Sequence, residues 1–124
     1  MAAWDYRYDA DKVAPTLYNA WSDSCYILTW DEMDAIRKTN KPILFPDGWR
    51  WIELLQSDTA SIFFDIKETP GRETARDVVL ESFKRMEDYF HKNPEKLTGW
   101  GKSRPFAIRH MALIDAFSRL DLNP

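Results

Sequence analysis

Apolar residues recur every three or four positions between Thr69 and His91. Ala75, Val79, Phe83, Met86 and Phe90 make a stripe that Val78, Ser82 and Tyr89 widen. Arg76, Asp77, Glu81, Lys84, Arg85, Glu87 and Asp88 take the opposite side. This pattern predicts one long amphipathic helix with a solvated charged face. Glu81 and Arg85, like Lys84 and Asp88, are four apart, a spacing that contributes about 0.2–0.5 kcal/mol per pair on a helix surface. Thr69 is the predicted cap, Pro70 suits the first helical position, and Glu73 complements the positive end of the helix dipole. Asn93-Pro94 stops the helix.

Shorter pieces surround it. Trp4 to Asp11 reads as an extended lead-in, after which Asp9 or Asp11 caps a helix from about Lys12 to Ser24. Its inner face is Val13, Leu17, Ala20 and Trp21, with Tyr18 beside them, and Pro15 is tolerated because it falls in the first turn. Cys25 to Leu28 is predicted as a loop. Thr29-Trp30-Asp31-Glu32 has the spacing of a capping box opening a helix to about Lys38, which Asn40-Lys41-Pro42 breaks. Asp47 caps a short helix carrying Trp49, Ile52 and Leu55, with Trp51 on its flank. Ile43-Leu44-Phe45-Pro46 is too short to decide between strand and loop. Ile62-Phe63-Phe64 fits a turn or single helical turn as well as a strand. Pro94 to Leu97 suggests another short turn, and Gly99-Trp100-Gly101 with Pro105 marks a loop. Phe106, Ile108 and Met111 precede the run Leu113 to Phe117, which is apolar without a clean period. The expected class is all-α, or mainly α: several short helices packed around one long helix, with irregular loops, in a single domain spanning 1–124.

Composition narrows the function classes. Seventeen basic and 20 acidic residues give a net charge of −3 with the signs interleaved, which argues against a dominant phosphate-binding face and against nucleic acid as a partner. Six Trp, five Tyr and seven Phe point to a core of large rings or a surface buried against a partner. No apolar run approaches the ~20 residues of a membrane span. Cys25 is the only cysteine, so no internal disulfide forms, and a buried inert thiol is the simplest reading.

Chemistry-bearing motifs are missing. The chain has no G-x-x-x-x-G-K-[ST], G-x-G-x-x-G, H-E-x-x-H or G-x-S-x-G. His91 and His110 are the only histidines, and a helix-end position and a packed position explain them better than a metal does. Asp31, Glu32 and Asp34 cluster at a predicted helix start, where dipole compensation comes before acid–base chemistry. No residue is therefore assigned a catalytic, cofactor-binding or metal-ligating role.

Trp4-Asp5, then Ala14-Pro15-Thr16-Leu17-Tyr18-Asn19-Ala20-Trp21, then Asp65 to Thr69 leading to Glu73-Thr74, then Trp100-Gly101 and His110 stand in an order and spacing that resemble one region of the penicillin acylase (penicillin amidase) family. The resemblance covers nearly the whole chain, but only a minor, largely helical part of such an enzyme's large chain. It implies an N-terminal-nucleophile hydrolase, matured by autocatalytic cleavage, in which a freed serine attacks the amide bond of an N-acylated substrate and its own α-amino group serves as base. It also implies export to the periplasm or outside, allows calcium in the parent enzyme, and suggests a role in antibiotic biosynthesis or degradation.

Scaffold is what this resemblance carries over residue by residue. The family's nucleophile, oxyanion-hole residues and calcium ligands fall outside the matched landmarks, and a trimmed Met1 exposes Ala2, which cannot attack a carbonyl. Both ends read as cut from a longer chain. The segment is thus expected to be inactive alone, with the rest of the parent acylase chains as its partner and self-association through exposed apolar surface as a side effect. The alternative is an independent helical protein-interaction module without catalytic activity.

Overall fold

A computed structural model describes residues 4–33, 36, 38–39, 44–105 and 111. The protein is mainly α, with no strand among the described residues. Four α-helices are described: α1 (Ala14–Thr29), α2 (Gly48–Ser57), α3 (Ala75–Lys92) and α4 (Trp100–Ser103). Three 3-10 turns, Asp31–Met33, Ile62–Phe64 and Pro94–Lys96, punctuate the connections. The expected features at Asp34, Asn40–Ile43, Phe106, Ile108, His110 and Leu113–Phe117 lie outside the described residues. The chain divides into two compact units, Trp21–Asp88 and the pairing of Met1–Ala20 with Tyr89–Pro124.

The Trp21–Asp88 unit holds a continuous apolar core of Cys25, Leu28, Trp30, Trp51, Phe64, Ile66, Ala75 and Val78. Phe64 and Val78 are fully buried, and each large apolar side chain of this kind is worth about 1.5–3 kcal/mol when removed from water. Rings knit the core's edge: Trp30 lies 5.0 Å from Phe63, Tyr26 meets Trp51 edge-on at 5.9 Å, and Trp21 stacks on Phe83 at 5.0 Å.

Helix α1 is longer at its far end than the pattern predicts. The expected loop at Cys25–Leu28 is helix, because Cys25 and Leu28 continue the three- and four-residue steps from Trp21 and no breaker intervenes. At the near end the helix starts at Ala14, with the Val13 carbonyl accepting the Leu17 N–H at 3.1 Å, so neither Asp9 nor Asp11 occupies the cap. The capping box predicted at Thr29 is also absent. Thr29 closes α1, and its hydroxyl points back to the Cys25 carbonyl at 2.9 Å while accepting the Trp51 indole N–H at 3.1 Å. The hydroxyl is thus turned into the core from the last turn of α1, rather than forward to the backbone of Glu32.

The long helix is confirmed with a later start. Thr69 to Thr74 is irregular, and helix begins at Ala75. The sequence offers two threonines ahead of the stripe, and the structure uses the second. Asp77 accepts both the Thr74 backbone N–H at 2.9 Å and the Thr74 hydroxyl at 2.6 Å, the return half of a capping box. The inner edge of the stripe also moves: Ala75, Val78 and Ser82 are buried, whereas Val79, Phe83, Met86 and Phe90 are half-buried and Tyr89 is exposed. On the outer face Glu81 pairs with Arg85 at 3.4 Å, and Lys84 reaches Glu81 at 3.5 Å.

Helix α2 starts after Asp47 as expected, although the Asp47 side chain makes no capping hydrogen bond. Ile62–Phe64 is a single 3-10 turn, and so is Pro94–Lys96. The predicted loop at Gly99–Gly101 instead opens α4.

Candidate functional site

Most of the described family landmarks fall into two clusters, each within one unit; Trp21 instead stacks on Phe83 in the Trp21–Asp88 unit, and His110 lies outside the described residues. In the unit containing both chain ends, Trp4 sits among Tyr6, Tyr8 and Tyr18 at ring separations of 5.3, 5.6 and 5.4 Å. Tyr8 meets Trp100 edge-on at 5.1 Å. Helix α4 is tied down through its backbone: the Trp100 N–H donates to the Lys12 carbonyl and the Gly101 N–H to the Ala10 carbonyl, both at 2.9 Å. That approach requires glycine. A Cβ on Gly99 would lie 2.7 Å from the Ala10 oxygen, and one on Gly101 would lie 3.1 Å from the Ala10 Cβ. The polar landmarks of α1 are committed in the same unit. The Thr16 hydroxyl donates to the Thr98 carbonyl at 2.9 Å, and the Asn19 amide to the Pro15 carbonyl at 3.0 Å and the Tyr8 hydroxyl at 3.3 Å.

The second cluster is the connection from Asp65 to Thr74. Ile66 is buried, and its backbone N–H donates to the Glu73 carboxylate at 3.0 Å. The next amide, Lys67 N–H, donates to Asp31 Oδ2 at 3.1 Å, while the Lys67 ammonium reaches the Asp31 carbonyl at 2.9 Å. The Thr69 hydroxyl donates to the other Glu73 oxygen. Hydrogen bonds from Thr69 and Ile66 hold the Glu73 carboxyl below its usual pKa. Sequence reasoning reads Thr69 and Glu73 as helix-start residues and misses the mutual arrangement, which depends on the chain turning at Pro70-Gly71.

Asp31 and Glu32 are the acidic pair flagged in sequence. Burial pushes the Glu32 carboxyl above its ordinary value, and Asp31 nearby adds to the effect. One oxygen of each, Asp31 Oδ1 and Glu32 Oε2, is buried with no hydrogen-bond partner among the described residues. No group of three or more His, Cys, Asp or Glu side chains gathers as a metal site among the described residues. Cys25 is fully buried beside Ser82, and burial raises its thiol pKa, the opposite of what an attacking thiolate requires.

A family model, Penicillin amidase, matches residues 1–124, the whole chain. The chain belongs to the penicillin amidase family. No curated protein and no solved structure matches it. Within this penicillin amidase segment, Trp4, Thr16, Tyr18, Asn19, Trp100 and Gly101 are brought together by the fold, as are Asp65–Thr69, Glu73 and Thr74. No helix of the described residues is long and apolar enough to cross a membrane.

Proposed function

We propose that this chain is a helical scaffold segment of an N-terminal-nucleophile amidohydrolase of the penicillin acylase type, which cleaves the amide bond of N-acylated substrates, and that the segment alone does not hydrolyse them. The observation that carries this reading is how the landmark residues are used. Thr16, Asn19, Gly101, Glu73 and Thr74 direct their polar groups to neighbouring backbone and side chains within their own units, as a positioning framework does.

Exposed apolar surface supports the same reading. Leu44 is 99% exposed, Ile62 65% and Trp49 56%, surface that more protein would cover in a larger enzyme. The nucleophile, the oxyanion-hole donors and any calcium ligands then belong to other parts of the acylase, and the rest of that enzyme is this segment's partner. Its placement in the periplasm or outside the cell follows from the same family reading, as does a role in antibiotic turnover.

The test compares this chain with the longer protein that carries it on a chromogenic N-acyl amide. Turnover is expected only from the longer protein. Turnover by the isolated chain overturns the reading.

A further inference from the structure

The connection between Asp65 and Thr74 follows the 3-10 turn Ile62–Phe64 and leads into α3, yet regular secondary structure satisfies few of its amides. Carboxylates do that instead. Glu73 takes the Ile66 N–H at 3.0 Å and the Thr69 hydroxyl, and Asp31 takes the Lys67 N–H at 3.1 Å. Glu68 reaches Arg85 on α3 at 2.9 Å, and Asp77 closes the far end on Thr74. Fully buried core lies immediately before the loop at Phe64, and buried core at Ile66 within it. The tip, Glu68 to Arg72, is exposed.

We infer that the Asp65–Thr74 loop is an acid-released latch: protonating Glu73 frees the loop's backbone from Ile66 onward while α3 and the core, the Ile66 side chain included, stay folded. The ionised carboxylate accepts both hydrogen bonds; once protonated, the oxygen facing Thr69 donates instead of accepting, the Thr69 hydroxyl turns its own proton to the Ile66 carbonyl 2.9 Å away, and the Ile66 amide is left with a neutral acceptor. Hydrogen bonds to a charged acceptor are also about twice as strong as neutral ones. The charges around Glu73 do not offset the change. Asp77 on α3 is the nearby charge that opposes its ionisation, Arg72 beside it donates to the Ala60 carbonyl at 3.1 Å, and Asp31, Glu32, Asp65 and Lys67 gather at the other clamp.

The sign follows from the direction of the shift. Glu73 is depressed below the ordinary 4.5, so its clamp is intact above that value and is lost as pH falls through the lower folded-state value. Release is therefore confined to acid conditions.

Amide hydrogen exchange on the whole chain, corrected for the intrinsic pH dependence of exchange, tests this. Protection at Ile66 and Lys67 is expected to fall about tenfold as pH is lowered from neutral through the acid transition of Glu73, below 4.5, while Val78 and Ser82 keep theirs. Glu73→Gln is expected to lower Ile66 protection about threefold or more at neutral pH and to flatten its acid dependence. Thr69→Val leaves the Ile66 bond in place but removes the hydroxyl that holds the Glu73 carboxyl down, so it shifts the release to higher pH. Loss of protection at all four amides together, or an Ile66 profile unmoved by Thr69→Val, overturns the inference whether or not the glutamine variant folds.

Discussion

The Trp51 indole N–H donates to the Thr29 hydroxyl at 3.1 Å, and that hydroxyl donates onward to the Cys25 carbonyl at 2.9 Å. This short chain joins the end of α1 to α2 inside the core, where Thr29 and Cys25 are fully buried. Thr29→Val keeps the shape and removes the acceptor, leaving a buried indole N–H unpaired. The expected cost is about 1–3 kcal/mol in urea unfolding. Trp51→Phe removes the donor as well as volume, and the double variant is expected to be less destabilised than the sum of the two. Strict additivity would show that the two side chains do not communicate.

The second prediction concerns the start of α3. Asp77 accepts the Thr74 amide and hydroxyl, and these bonds hold its carboxyl below the ordinary 3.8. Its contribution is therefore complete above pH 3.8 and is lost as pH falls through the lower folded value. Asp77→Ala is expected to lower stability at neutral pH and to make the acid limb of the stability curve shallower. Thr74→Ala is expected to cost about 0.5–2 kcal/mol, the usual range for losing a cap residue. A Thr74→Ala variant as stable as the parent would return the cap to Thr69.

Glycine at position 99 is a third point of leverage. A Cβ there meets the Ala10 carbonyl at 2.7 Å, whereas one on Gly71 meets nothing within 4 Å. Gly99→Ala is expected to destabilise by about 1–3 kcal/mol because backbone must move, and Gly71→Ala to leave the melting temperature nearly unchanged. Equal effects at the two sites would contradict the packing of α4 on Ala10–Lys12.

Cys25 supplies a fourth prediction. Fully buried, with its thiol pKa raised, it should resist thiol reagents in the folded protein and react at the rate of a free cysteine in denaturant. Rapid labelling of the native chain would show that the core around it opens readily.

Much of this fold is legible in the sequence wherever one periodicity dominates. The stripe from Ala75 to Phe90 announces α3, and Asp47 followed by Trp49, Ile52 and Leu55 announces α2, although the side that is buried carries the flanking Trp51 while Trp49 and Ile52 are exposed. The errors share a cause: residues that satisfy two local rules. Thr29 fits a capping box, but the distant Trp51 claims its hydroxyl, and no local rule foresees a partner 22 residues away. Thr69-Pro70 and Thr74-Asp77 are both good helix starts, and Glu73 decides between them by turning back to Ile66 and Thr69. Gly99 and Gly101 read as loop residues because their tight contacts with Ala10 are tertiary. The family was legible from the order of Trp4, Ala14–Trp21, Glu73-Thr74 and Trp100-Gly101, while the carboxylate-clamped loop was not, since it exists only once Asp31 meets Lys67 across the fold.

The central claim is that a penicillin amidase segment built as scaffold depends on the rest of its enzyme for chemistry. The most direct measurement is steady-state hydrolysis of a chromogenic N-acyl amide by the isolated chain, beside the longer protein that carries it under identical conditions. The account predicts product release by the longer protein and a rate at background for the segment. Saturable turnover by the segment alone would contradict it.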